Sequence, residues 1–265
     1  MALAPGASTA KPRSLAAESK RTDRWWIEPL TIVIVLGAFV VYSTWAALQN
    51  ANYYADPYLS PFYSPCIAAN CVHVTLPIIG SWWNLSPAIL VLAFPLGFRV
   101  TCYYYRKAYY RSFFWSPPAC MIRDARPSYQ GETRFPWVLQ NLHRYFFYFA
   151  VVVLVFLWWD AIIAFFFPTT SGLRFGIGLG TIVLVVSSAL LTLYTFSCHS
   201  CRHLCGGYLD VFKGSPFRYR LWRLVSRLNE HHMLYAWISL FGVALADLYV
   251  RLVASGIILD PRIVF

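Results

Sequence analysis

The chain has 265 residues, of which 58% are hydrophobic and 12% are charged, and its mean hydropathy is +0.52. Soluble domains carry about 25% charged residues, so this composition excludes an ordinary soluble domain and indicates an integral membrane protein. The formal net charge is +11. Because the basic residues are grouped by segment, we interpret this charge through membrane topology and expect no nucleic-acid partner.

Five apolar runs are long enough to cross a hydrocarbon core of about 30 Å as helices that rise about 1.5 Å per residue. They cover residues 29–48, 87–105, 137–167, 175–197 and 231–256. Lys and Arg are concentrated in three segments: five in the first 25 residues, six from Arg106 to Arg134, and six from Arg202 to Arg227. Since positive residues favour the cytoplasmic side, we predict an all-α bundle of five transmembrane helices. Its N-terminus is cytoplasmic and its C-terminus is outside.

The chain divides into a tail and a membrane domain. Residues 1–24 lack apolar periodicity and are predicted to form a cytoplasmic tail. Residues 25–265 form the five-helix domain, with two long cytoplasmic loops at 106–136 and 198–229. The second loop carries a basic strip that can meet anionic lipid or an acidic partner protein. Its members are Lys213, Arg218, Arg220, Arg223 and Arg227.

Polar groups on the predicted outer side raise two structural questions. Cys66 and Cys71 can form a short disulfide loop there, and two free thiols are an equal alternative. Asp160, Asp247 and Arg251 lie toward the outer ends of spans. They can line a proton path or neutralise one another, and we favour neutralisation.

The most distinctive stretch is Cys198-His199-Ser200-Cys201-Arg202-His203-Leu204-Cys205, which places three cysteines and two histidines within eight residues. If the preceding helix continues through it, the three cysteines share one face and the two histidines share another. Small cysteines and interfacial histidines also occur in membrane helices without a ligand. We nevertheless interpret the stretch as part of a metal or cluster site.

The predicted topology brings further candidates to the same side of the membrane. Five cysteines and five histidines gather at the cytoplasmic ends of four helices. Those outside the Cys198–Cys205 stretch are Cys102, Cys120, His143, His231 and His232.

Three kinds of centre are compatible with these residues. A structural zinc site would use Cys and His in tetrahedral geometry, but only one Cys-x-x-Cys pair, Cys198 and Cys201, is present. A b-type haem would use two histidines from different helices, such as His143 with His231 or His232, and would leave the cysteines unexplained. A Rieske-type [2Fe–2S] cluster takes two thiolates and two imidazoles, and its familiar Cys-x-His half matches Cys201-Arg202-His203.

We favour the Rieske-type centre. The predicted ligands are Cys198 and Cys201 for one iron, and His143 and His232 for the other. His231 is displaced from His232 by one residue and is expected to point elsewhere. The reserve candidates are Cys120, Cys205, His203 and His231.

With these residues in view, the chain resembles the membrane-anchor subunit of an actinobacterial-type succinate dehydrogenase. The resemblance covers residues 25–256 and is carried by the stretch from Cys198 to Gly207, by Leu142-His143-Arg144 and by Asn229-Glu230-His231-His232. It implies a multi-pass protein of a bacterial plasma membrane that does not itself bind succinate. The implied partners are a flavoprotein and an iron–sulfur subunit on the cytoplasmic face, with menaquinone as electron acceptor.

A second class of protein stays open at this point. A transporter or a cysteine-rich acyltransferase could use zinc to hold its inner loops together. The chain lacks the Asp-His-His-Cys run of such acyltransferases. Visible absorbance and a paramagnetic reduced state would distinguish the redox protein from a colourless zinc protein.

Overall fold

The structure, a computed structural model, describes residues 21–69, 71, 78–125 and 132–265. Most of the predicted N-terminal tail and His73 lie outside the described residues. The helices, in chain order, are α1 (Ile27–Gln49), α2 (Pro87–Thr101), α3 (Tyr103–Phe113), α4 (His143–Ile163), α5 (Leu179–Phe196), α6 (His199–Gly206), α7 (Pro216–Glu230) and α8 (His232–Ala254). Two 3₁₀ turns precede α2 and α4, at Gly80–Trp82 and Trp137–Leu142.

The membrane-spanning helices agree with the prediction except in the second span. Among the described residues, α1, α4 with its 3₁₀ turn, α5 and α8 are each long and apolar enough to cross a membrane. The predicted span 87–105 is instead broken at Cys102, where α3 turns away from α2 by 76°. Cys102 has extended backbone, and the charged residues Arg106, Lys107 and Arg111 follow in α3. The described residues therefore contain four candidate spans, or five if α2 and α3 count as one.

The fold is mostly helical rather than purely α. A hairpin pairs β1 (Tyr54–Ala55) with β2 (Tyr58–Leu59), and a three-stranded antiparallel sheet has the order β3 (Phe166–Thr169), β4 (Gly172–Gly178), β5 (Arg262–Val264). The predicted spans 137–167 and 175–197 are consequently too long, because β3 and β4 occupy their adjoining ends. Gly172, which has a φ of +113°, is the first residue of β4 and directly follows the turn between these strands.

Tight packing accounts for the glycines at the start of the fourth span. Gly176 and Gly178 lie in β4, and Gly180 lies in the first turn of α5. A Cβ atom at Gly178 would overlap the Tyr58 hydroxyl, and one at Gly180 would lie 2.6 Å from the Tyr58 ring. The glycines thus permit close approach, at a strand and a helix start rather than between two helices.

A second helix break lies in the cysteine-rich stretch. The preceding helix does not continue through it: α5 ends at Phe196, and Cys198 has φ −64° and ψ 145°. Cys198 is the N-cap of α6, and its sulfur accepts a hydrogen bond from the Ser200 amide. The shared-face argument based on one straight helix therefore does not apply to Cys198.

The two ends of the bundle differ in what they contain. The sheet end carries the five strands, an aromatic core around Tyr53 and Tyr63, and a disulfide between Cys66 and Cys71. The cysteine end is the opposite end, where α2 and α5 finish and α4 and α8 begin. There Cys102 and Cys198 belong to a second buried cluster.

Candidate cofactor site at the cysteine end

Two thiols and two imidazoles lie together, because each belongs to a residue at which a helix begins or is interrupted. Cys102 lies between α2 and α3, His143 is the first residue of α4, Cys198 is the N-cap of α6, and His232 is the first residue of α8. His143 Nε2 lies 2.9 Å from Cys198 Sγ, and His232 Nε2 lies 3.4 Å from Cys102 Sγ. Each imidazole therefore faces one thiol.

A hydroxyl fixes the tautomer of His143. Thr101 Oγ1 donates a hydrogen bond to the Gly97 carbonyl at 2.7 Å, and it lies 2.9 Å from His143 Nδ1. Because its proton is already used, this hydroxyl accepts from Nδ1–H. His143 Nε2 is then left unprotonated and faces Cys198, as a metal-binding imidazole requires.

His232 is held in the same way. Ser197 Oγ donates to the Tyr194 carbonyl at 3.0 Å and lies 2.7 Å from His232 Nδ1. It therefore accepts from Nδ1–H and leaves His232 Nε2 free toward Cys102. Both histidines are thus oriented as ligands by a hydroxyl of the adjoining helix.

The four side chains line a cleft of about 760 Å³ that opens at the cysteine end. Cys201 does not line it. Cys201 is buried, and it interacts with Cys205, which lies one helical turn further along α6. Of the four predicted ligands, the structure brings His143, Cys198 and His232 into the cleft, and two further candidates, Cys102 and His199, line it as well.

The reserve candidates lie elsewhere. Cys120 is exposed in the loop after α3. His203 Nδ1 lies 2.7 Å from an Arg144 nitrogen. His231 is the C-cap of α7, and its ring lies near Tyr235, outside the cleft lining. The expectation that His231 and His232 point in different directions agrees with this geometry.

The thiols are neutral as long as no cation is bound. Burial, followed by the nearby Cys102, raises the pKa of Cys198 to about 12. Burial, followed by Cys205, raises the pKa of Cys201 to about 12. At neutral pH the buried Cys198 thiol keeps its proton, so binding of a metal to this sulfur must release that proton.

Aromatic rings separate the cleft from an apolar cavity inside the bundle. Phe98 stacks on His143 with ring centroids 4.9 Å apart, and Tyr194 stacks on His232 at 5.2 Å. Phe98, Tyr194 and Arg99 also line the apolar cavity, whose volume is about 100 Å³. The wall between the two spaces is thus one ring thick at each histidine.

The site is not arranged around a single point. Within residues 21–69, 71, 78–125 and 132–265, no group of three or more His, Cys, Asp or Glu side chains is placed to hold one metal ion. The two imidazole–thiol contacts are instead two separate pairs.

Comparisons with known proteins agree on one family. Residues 27–256 match the family model described as actinobacterial succinate dehydrogenase subunit SdhC. A chain of the Mycobacterium smegmatis Sdh1 complex in the apo form is 49% identical, with a TM-score of 0.84, and the match covers 92% of this chain and 93% of that one. No curated protein matches. This chain therefore belongs to the actinobacterial SdhC family and is a membrane-anchor subunit, without a catalytic site for succinate, of a succinate dehydrogenase complex.

Proposed function

We propose that this anchor joins the soluble part of a succinate dehydrogenase to a membrane quinone, and that Cys102, Cys198, His143 and His232 hold a Rieske-type [2Fe–2S] cluster. When bound, the cluster would supply a one-electron redox centre at the predicted cytoplasmic ends of the helices. Succinate oxidation to fumarate releases two electrons and two protons, and reduction of menaquinone to its quinol takes up two of each. The chain's part is to hold the centre and the quinone close together.

The donor set supports the proposal. Two thiols and two imidazoles are the ligand complement of a Rieske-type cluster. Both imidazoles present an unprotonated Nε2. The proposed set retains Cys198, His143 and His232 from the sequence-based set and takes Cys102 in place of Cys201. Cys102 lines the cleft and contacts His232, whereas Cys201 does neither.

The arrangement suits a two-iron cluster better than zinc. A structural zinc ion needs four ligands around one point, and the described residues contain no group of even three. A Rieske-type cluster spreads its four protein ligands over two irons, so it does not need three ligands around one point. Cys102 and Cys198 would bind one iron, and His143 and His232 would bind the other. Haem b held by His143 and His232 stays a second candidate, because both imidazoles have Nε2 free.

The observation that carries the proposal is the shared aromatic wall. Phe98 and Tyr194 each stack on a site histidine and also line the apolar cavity. A quinone ring needs an apolar, aromatic pocket with a few polar groups, and Arg99 and Thr195 provide polar side chains in this one. We place the menaquinone ring in this cavity, separated from the site by one layer of rings.

Exposed aromatic side chains support docking of soluble subunits at the same end. Phe135 is 80% exposed and Tyr103 is 72% exposed. Large exposed apolar groups of this kind mark an interface when they lie outside the lipid. A flavoprotein and an iron–sulfur subunit would cover them, and the basic loops support a cytoplasmic position for this face.

The test removes both histidines in the assembled complex. We expect His143→Ala with His232→Ala to give a complex that still oxidises succinate with a soluble dye. Its rate of quinone reduction should fall by more than 100-fold. It should also lack the two irons of the cluster and the corresponding low-temperature EPR signal. We expect Cys102→Ser to behave in the same way, because it removes a thiolate ligand.

His231→Ala is the matched control, since it removes the neighbouring imidazole that faces away from the cleft. An unchanged iron content and EPR signal in the double variant would contradict the proposal. Loss of a visible haem spectrum instead would support the second candidate, and zinc in a colourless wild-type anchor would contradict both.

A further inference from the structure

One hydroxyl beside the site is incompletely paired. Tyr194 is buried, with 1% of its surface exposed, and its hydroxyl makes no hydrogen bond of normal geometry among the described residues. Its polar neighbour is the Cys102 thiol, which is a weak acceptor. A buried hydroxyl without a good acceptor is destabilising, so this one indicates that a stronger acceptor belongs beside it.

The surroundings of this hydroxyl identify where the acceptor belongs. Tyr194 packs in one buried cluster with Cys102, Tyr105 and Cys198, and its hydroxyl interacts with the Cys102 thiol. The Tyr194 ring stacks on His232, whose Nε2 faces Cys102. The hydroxyl thus lies beside one thiol of the proposed cluster.

A cation without a counterion lies against the same ring. Arg99 is 8% exposed, and its guanidinium carbon is 4.5 Å from the centre of the Tyr194 ring. Its hydrogen-bond acceptors are all neutral: the Tyr105 hydroxyl, the Ala236 carbonyl and the Ser239 hydroxyl.

No carboxylate in the described part of the chain forms an ion pair with Arg99. A buried cation is costly unless an anion balances it. Two thiolates bound to a cluster would provide that negative charge, and two protonated thiols would not.

We propose that Tyr194 and Arg99 are positioning residues for the cofactor site. The Tyr194 hydroxyl donates a hydrogen bond to a sulfur atom of the loaded site, the Cys102 sulfur being the nearest protein ligand. Arg99 supplies the positive charge that balances the thiolates. This inference rests on the proposed function and adds two residues that are not ligands.

The expected consequence concerns the midpoint potential of the centre. Reduction adds one negative charge to the site, so a hydrogen bond to sulfur and a nearby cation both favour the reduced state. Tyr194 and Arg99 should therefore raise the potential and make electron uptake from the soluble subunits easier.

The experiment is a redox titration of the EPR signal in the assembled complex. Tyr194→Phe keeps the ring that stacks on His232 and removes only the hydroxyl. We expect it to retain the cluster irons, to shift the midpoint potential to a more negative value, and to slow quinone reduction several-fold. Tyr63→Phe is the control, because it removes an equally buried hydroxyl at the sheet end, and it should leave the potential unchanged.

Arg99 is tested by a charge-preserving pair. Arg99→Met should shift the potential in the same negative direction, and Arg99→Lys should recover most of the wild-type value. A midpoint potential unchanged in Tyr194→Phe, with the irons retained, would overturn the role of the hydroxyl. Equal potentials in Arg99→Met and Arg99→Lys would overturn the role of the charge.

A second variant tests the role of the hydroxyl if Tyr194→Phe loses the cluster. Replacement of Tyr194 by 3-fluorotyrosine keeps the hydroxyl and makes it a stronger donor, so the potential should shift to a more positive value. No shift, or a negative shift, would overturn the inference. If wild-type complex has no anchor iron or EPR signal, the proposed function itself fails, which is a different result from an unchanged potential.

Discussion

The two ends of the bundle differ in how completely their buried polar groups are paired within the protein. At the sheet end, Asp247 accepts hydrogen bonds from Arg251 at 2.8 Å, from Tyr42 at 2.6 Å and from Ser60. Arg251 also donates to the Gln49 side chain and to the Ala46 and Ala51 carbonyls. Charge and hydrogen-bond capacity are both satisfied within the protein.

A second acidic group at the sheet end is equally well satisfied. Asp260 accepts from the Tyr58 and Tyr249 hydroxyls at 2.7 and 2.6 Å, and from the Gly180 amide at 2.8 Å. These bonds join the C-terminal segment to α5, α8 and the β1–β2 hairpin region. The sheet end is therefore a closed network that holds segments together.

The cysteine end leaves capacity unused. Arg99 has neutral acceptors only, and the Tyr194 hydroxyl has no acceptor of normal geometry. Each imidazole Nε2 accepts only from a neutral thiol, which is a weak donor. The network at the sheet end is complete within the protein, whereas the cysteine end contains a cation that no anion balances. This contrast favours mutual neutralisation over a proton path for Asp247 and Arg251.

The largest effect on stability is expected at the closed network. Arg251→Met removes one partner of an ion pair whose side chains are 5% and 0% exposed. It should destabilise the anchor by about 3–5 kcal/mol, because Asp247 is then buried without its counterion. Asp247→Asn should act in the same direction. The measurement is the yield of assembled complex and its thermal midpoint.

The double change Asp247→Leu with Arg251→Met is the control, since it removes both charges together and should be milder than either single change. Complex that does assemble should keep the wild-type potential of the centre. Normal assembly of Asp247→Asn with slower quinone reduction would instead favour a proton path.

A smaller effect is expected from the disulfide at the sheet end. Cys66 and Cys71 are five positions apart, and a loop this short constrains the unfolded chain by about 2 kcal/mol. The double change Cys66→Ser with Cys71→Ser should lower the free energy of unfolding by that amount, which is measured as a lower thermal midpoint of the complex. Iron content and quinone reduction in folded complex should not change. A loss of iron there would contradict the separation between the two ends.

Hydrophobic runs and the charge distribution were enough to predict most of the membrane-spanning helices. They predicted α1, α4, α5 and α8, since long apolar segments have few alternatives in a bilayer. They did not predict the break at Cys102 or the strands at the sheet end. Both depend on contacts between distant segments, such as Tyr58 against Gly178, which no local pattern records.

The clustering of the candidate residues at one end was predictable from the sequence, whereas which of them are ligands stays a prediction. Topology brought His143, Cys198 and His232 to one end, and helical offset separated His231 from His232. Cys102 was placed at that end but was not selected, because Cys-x-x-Cys spacing favoured Cys201. The available signal was the change from apolar residues to Tyr and Arg directly after Cys102, which marks a helix end where a side chain can face a cleft.

The smallest effect is expected at Cys201, the thiol that sequence spacing favoured. Cys201 is buried against the inner core and interacts with Cys205, and it does not line the cleft. Cys201→Ala removes one sulfur atom from an apolar environment, so a cost of about 1 kcal/mol is expected, as for deletion of one small buried group. Iron content, midpoint potential and quinone reduction should equal those of the wild type.

Cys102→Ala makes the identical chemical change at the other buried thiol. It should remove the cluster, because the Cys102 sulfur faces His232 Nε2 at 3.4 Å. The comparison is made by iron analysis and EPR on both assembled complexes. Loss of iron in Cys201→Ala with retention in Cys102→Ala would restore the spacing-based ligand set and refute the one proposed from the geometry.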